Sequence, residues 1–144
     1  MVLLDTNVLS ELMRREPDSV VLAWADQLNL DDVAITAMNE AEILHGLALL
    51  PAGKRRDSLQ ERWEQLVLNI FAGRVFPFDR AAAHWYGALL EQRHRIGRPM
   101  ATADAVIAAT ALALDATLAT RNTSDFERID LSLINPWILP NGSI

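Results

Sequence analysis

The chain has no cysteine, which excludes disulfides, thiolate zinc sites and a cysteine nucleophile and fits a reducing compartment. Lysine is nearly missing too. Lys54 is the only one, so chemistry that needs a lysine has a single candidate position. No Gly-x-Ser-x-Gly occurs, which removes the serine-nucleophile turn. His45, His84 and His94 lack ligand spacing and read as helix surface or partly buried residues. The opening MVLLDTN has no basic lead and meets an acid at position 5, so no signal peptide is expected. No apolar run is long and clean enough to span a bilayer: Ala101–Thr120 is rich in Ala and Thr and is broken by Asp104 and Asp115. It reads as a core helix followed by a strand. A cytoplasmic location is the resulting expectation. Repeats, low-complexity tracts and linkers are likewise absent.

What is present is a chain of 144 residues, 51% apolar, enough for one domain with a real core. Net charge is −6, from 13 basic and 19 acidic residues, which argues against a nonspecific nucleic-acid coat. A local basic rim is still open. Arg14-Arg15, Lys54-Arg55-Arg56 and Arg93-His94-Arg95 with Arg98 are the clusters that could form one, although such runs are commonly just solvated faces.

Short apolar runs alternate with helical patterns. Val2-Leu3-Leu4, Val33-Ala34-Ile35, Arg74–Phe78, Ala116–Thr120 and Leu131–Ile134 read as strands, with Pro77 putting the third near a sheet edge. Helices are expected over Val8–Arg15, Asp18–Leu28 with Pro17 in its first turn, and Ala37–Leu50 capped by Thr36. The clearest periodicity lies in Lys54–Phe71, where Leu59, Trp63, Leu66, Val67, Ile70 and Phe71 share one face before Gly73. Asp79 caps a helix to about Arg95, and Thr123–Glu127 reads as a single turn. The four tryptophans, Trp24, Trp63, Trp85 and Trp137, are expected in core or interface rather than in base stacking. The pattern predicts an α/β domain with a mostly parallel sheet, over residues 1–138, followed by a tail at 139–144.

The helix Ala101–Leu114 is apolar nearly all round, yet Asp104 sits in its first turn, the only charge between Arg98 and Asp115. A buried carboxylate must be hydrogen-bonded, paired or metal-bound. It also has a plain structural use, complementing the helix dipole behind a Thr102 cap. In parallel α/β sheets, ligands sit beyond the carboxyl ends of the strands. Asp5 ends the first strand, Thr120-Arg121-Asn122 ends the fourth, and Glu40 and Glu42 follow the second. Asp5 has its own structural use as a helix cap. Glu40 and Glu42 lie about 200° apart on a helix, so only one can face a shared site, and spacing does not choose between them. Clustered carboxylates call for a cation, and an all-oxygen set suits Mg²⁺ or Mn²⁺, ions that serve phosphodiester chemistry.

Four blocks occur in order: VLLDTNVLSEL, Thr36–Gly46, Ala103–Thr110 and Ala119–Asn122 with Asp125-Phe126. Together they resemble the PIN-domain ribonucleases, specifically the VapC/FitB-like toxins of bacterial toxin–antitoxin pairs, and the likeness runs on to Asn135-Pro136-Trp137. The resemblance implies that Asp5, Glu42 (four residues before Gly46) and Asp104 are the catalytic, metal-holding acids, with Thr6 and Asn7 ordering the first turn. The family's fourth acid is replaced by Asn122, with Asp125 three residues on, and Thr120 is a supporting contact. It further implies a PIN-like α/β/α sandwich with a mostly parallel five-stranded sheet, an RNA substrate, a homodimer and a cognate VapB-like antitoxin. Two rivals stand beside it. A haloacid-dehalogenase-type phosphatase wants an acid where Asn7 stands and a downstream lysine. A PIN-like interaction module with a degraded metal site would follow from Asn122.

Overall fold

The computed structural model describes residues 1–138; the expected tail at 139–144 lies outside the described residues. Strand β1 (Val2–Leu4) is the centre of a five-stranded sheet that also contains β2 (Val33–Thr36), β3 (Val75–Phe76), β4 (Thr117–Ala119) and β5 (Leu133–Ile134). The order is β3-β2-β1-β4-β5 and every pairing is parallel. The chain winds outward from β1 through β2 to β3, then crosses back to the other side of β1 for β4 and β5. That reversal opens a crevice between β1 and β4, the place where parallel α/β sheets take their ligands.

Alternation along the strands sends side chains to two separate cores. Leu3, Ala34 and Leu118 face one layer, where they meet Ala105, Ile107, Ala108 and Ala109 of α6 (Thr102–Ala113) and Leu89 of α5 (Arg80–Arg95). Leu4, Val33, Ile35 and Ala119 face the other, against α1 (Thr6–Leu12), α3 (Ala37–Ala48) and Trp63 of α4 (Lys54–Leu66). The remaining helix, α2, spans Ser19–Asp26. Both faces of the sheet are covered, as the near-continuous apolar strands require. The sandwich and its five parallel strands match the expectation. Among the described residues no helix is long and apolar enough to cross a membrane.

Local departures have local reasons. The first helix begins at Thr6 rather than Val8, because Asp5 itself is the cap, accepting from the Thr6 N–H at 2.8 Å. Pro17 precedes α2 instead of lying in its first turn: Asp18 caps it by accepting from the Val20 and Val21 amides. Thr102 does not cap α6, whose cap position is Ala101, without a side-chain bond. The apolar face over Lys54–Phe71 packs as expected, but its last five residues, Val67–Phe71, widen into a π-turn. That turn ends at Ala72, which takes a left-handed conformation, φ 46°. Trp63 is buried, and Trp24 and Trp137 pack against the same core. Trp85 stands outside the core, 45% exposed. His45, His84 and His94 are all exposed.

Candidate active site

Asp5 follows β1 directly, and the backbone holds it over the crevice through its N–H to the Ala119 carbonyl at 2.9 Å. Its carboxylate is buried and surrounded by donors. Oδ1 accepts from the Thr6 N–H at 2.8 Å and Asn39 Nδ2 at 3.2 Å. Oδ2 accepts from Thr120 Oγ1 at 2.7 Å and, more weakly, from Asn7 Nδ2 at 3.4 Å. Burial pushes the Asp5 pKa up, the Thr120, Thr6 and Asn39 bonds pull it back, and the charge of Glu42 pushes it up again. The net direction is upward. A carboxylate so fully donated to is oriented before any ligand arrives.

The other expected residues are linked to it. Asn7 Oδ1 accepts from the Arg121 N–H at 3.1 Å and Asn7 Nδ2 donates to the Thr120 hydroxyl at 3.3 Å, which fixes the exit of β4 to the entry of α1. Thr6 Oγ1 donates to Glu42 Oε1 at 2.6 Å, bringing the second turn of α3 to the same edge. Glu40 makes no such link among the described residues; of the pair it is Glu42 that bonds to Thr6 and whose charge reaches Asp5 and Asp104.

Asp104 reaches the crevice from the first turn of α6, half-buried and without a hydrogen bond from the described residues. Its pKa is pushed up to about 6, first by burial and then by the charges of Asp5, Asp125 and Glu42, against a small lowering by Arg93. Acids from four separate segments therefore feel one another. Asp125 lies in a single 3₁₀ turn, Thr123–Phe126, and its charge reaches Asp104. Asn122 is anchored through its backbone, N–H to Thr120 Oγ1 at 3.1 Å, and its side chain is exposed.

Two residues of this arrangement were not singled out in the sequence. Asn39, completely buried, closes a capping box with Thr36 and extends its amide to Asp5 and, at 3.1 Å, to Thr6 Oγ1. Its place three residues after the cap signals the box; nothing local signals the second role. Arg93 was grouped with the surface cluster at 93–98 but is buried, donating to the carbonyls of Arg98 at 2.6 Å, Asp125 at 3.3 Å and Glu127 at 2.8 Å. It holds the turn that carries Asp125.

The donor set is all oxygen, and the pKa values of Asp5 and Asp104 are both raised in part by neighbouring acids, which is the chemistry of a hard divalent cation. Among the described residues no three acidic or histidine side chains are yet close enough to grip one ion. The residues fit such an ion in kind and charge, and of Asp5, Glu42 and Asp104 it is Asp104 whose side chain has no hydrogen-bond partner among the described residues.

A doubly wound α/β/α domain with acids converging on its switch-point crevice is the class that fold and site define. The chain belongs to the PIN domain family, whose pattern matches residues 2–131. It is 48% identical over 137 residues to VapC ribonuclease Y4jK of Sinorhizobium fredii, covering 95% of this chain and 98% of that one. It is 45% identical to Toxin FitB of Neisseria gonorrhoeae, covering 95% and 99%. A solved structure of FitAB bound to an IR36 DNA fragment superposes with a TM-score of 0.91 at 44% identity, over 99% of this chain and 100% of that one.

Proposed function

We propose that this protein is a metal-dependent endoribonuclease, the toxin of a toxin–antitoxin pair. The observation that carries the reading is the convergence of Asp5, Glu42 and Asp104 over the β1–β4 crevice, with Asp104 pushed up to about 6 by burial and by its acidic neighbours. Mutually repelling acids in a strand-end crevice are a device for holding a cation. Likeness to a named VapC ribonuclease and to a named toxin supports the substrate and the biological role.

Asp5, Glu42 and Asp104 would hold the ion, Mg²⁺ or Mn²⁺, with Asp125 adding the charge that Asn122 lacks. Such an ion, when bound, supplies an activated water and neutralises charge on the phosphate and the leaving oxygen. The chain's own residues do the rest. Thr6, Asn39 and Thr120 hold Asp5 in one orientation, so no reorganisation is needed at the moment of reaction. Asn122 offers an uncharged oxygen, and Thr120, completely buried, acts through its bonds to Asp5 and the Asn122 amide. Water attack would leave a 5′-phosphate.

The partners follow from the same likeness. A VapB-like antitoxin would mask the site, and DNA contact would come through that partner, since this chain carries a net charge of −6. A homodimer in the cytoplasm is the proposed state. The test is RNA cleavage by the purified protein with Mg²⁺ or Mn²⁺, with EDTA, and with Asp5→Asn. Metal-dependent cleavage giving 5′-phosphate ends and lost in the variant is expected. Full activity after rigorous chelation, or 2′,3′-cyclic phosphate products, would overturn the mechanism; no cleavage at all would favour the interaction-module reading that Asn122 raises.

A further inference from the structure

Two of the three basic clusters in the sequence meet in space. Arg14-Arg15, just after α1, and Arg55, in the first turn of α4, line one groove of about 660 Å³ together with Arg62. The groove runs between α1, α3 and α4, and its inner end is lined by Thr6 and Glu42, the residues joined at the acid centre. Its floor is apolar, built from Met13, Ile43, Leu47 and Leu59. The acids on its wall are Glu42 itself and Glu16.

The arginines are not equivalent. Arg14 pairs with the buried Glu11 at 3.2 Å, and Arg62 donates to the Met13 carbonyl at 2.8 Å. Arg15 and Arg55 are exposed and have no ion-pair partner among the described residues. Four cations on the walls of one groove in a chain of net charge −6 are a local reversal of sign. A groove with free guanidinium groups at its rim, an apolar floor and a carboxylate centre at one end suits a polyanion whose reacting phosphate sits at that centre. Arginine binds phosphate through a planar fork, and a positively charged groove tracks the backbone of a single strand.

Resting on the ribonuclease reading, we propose that this groove is the track for single-stranded RNA flanking the cleaved bond, with Arg15 and Arg55 as its phosphate contacts. The remaining cluster is not part of the track, because none of its residues lines the groove, and its Arg93 is buried among carbonyls.

The test separates the track from the chemistry. Binding of a fluorescein-labelled single-stranded RNA is followed by anisotropy across a salt series in EDTA, where no cleavage is expected. Each single-strand phosphate contact contributes about 0.7 to the slope of log affinity against log salt. Arg15→Ala with Arg55→Ala should therefore flatten the slope by about 1.4 and weaken binding at least tenfold, while Arg15→Lys with Arg55→Lys keeps the slope. In cleavage, the alanine pair should raise KM for the long RNA and leave turnover of a dinucleotide unchanged. Both residues are exposed, so unchanged thermal melting verifies the fold. An unaltered salt slope and KM overturns the track. So does an alanine pair that binds RNA normally but loses its antitoxin, which would make the groove a protein-binding site. Normal salt-dependent binding without any cleavage by the wild type would leave the track standing and remove the nuclease reading.

Discussion

Asp104 shows how one residue answers to its surroundings rather than to its own type. In the first turn of α6 it could have served the helix dipole alone, but burial and the charges of Asp5, Asp125 and Glu42 raise its pKa from 3.8 to about 6. Between those values the folded protein holds a proton that the unfolded chain has released. Stability thus falls as pH rises through this window, and above it the full penalty is present. Asp104→Asn removes the charge. In EDTA near pH 7 the variant should melt higher than wild type by about 3 °C, corresponding to about 1 kcal/mol once solvent screening of a half-buried group is discounted. Near pH 4 the difference should vanish. With Mn²⁺ the order should reverse, because ligand binding to the native state stabilises only the protein that can hold the ion. A variant that melts lower in EDTA and gains as much from Mn²⁺ would make Asp104 a structural acid. RNA cleavage should decline as pH drops below about 6, as protons compete with the cation.

At the scale of elements, caps and apolar faces were legible because they are set by residues three or four apart. Thr36 caps α3 and Asp79 caps α5, as read from the sequence. The face of Leu59, Trp63, Leu66, Val67, Ile70 and Phe71 packs on one core. The π-turn at Val67–Phe71 was not legible, since its hydrogen-bond shift leaves no mark on a periodicity of apolar residues. Its exit is strained. Ala72 adopts φ 46°, ψ 42°, a conformation that disfavours any residue with a Cβ by about 1–2 kcal/mol. Arg74 then clamps the chain, donating to the Val33 carbonyl at 3.0 Å, the Ile70 carbonyl at 3.1 Å and the Leu30 carbonyl. Ala72→Gly should therefore stabilise by about 0.5–1 kcal/mol after its greater unfolded-state freedom is subtracted. Urea unfolding is the measurement, with the midpoint rising at constant m-value. A lower midpoint would mean that the Ala72 side chain contributes packing worth more than the strain.

For the molecule as a whole, Arg93 joins parts that no local pattern relates. From the last turn of α5 it binds carbonyls in the segment leading to α6 and in the turn carrying Asp125, and its charge opposes the rise in Asp104. Arg93→Met keeps the apolar stem but leaves these carbonyls unpaired, at a cost of about 3 kcal/mol. The same change should shift the acid limb of the pH–rate profile upward, because Asp104 loses its opposing cation. A destabilised protein with an unmoved profile would confine Arg93 to structure. Taken alone, the sequence determined the alternation of strands and helices, the two-sided burial of the sheet, and the placing of Asp5 and Thr120 at strand ends, because apolar runs and caps act over a few residues. Tertiary structure decided which acids meet, through a strand order that sets residues 5 and 120 side by side. It brought Glu42 rather than Glu40 to Thr6, buried Arg93 out of its cluster, and gathered Arg14, Arg15 and Arg55 around a groove. Those outcomes depend on how two cores pack across one sheet, and contacts between distant segments carry no period that a local reading can detect.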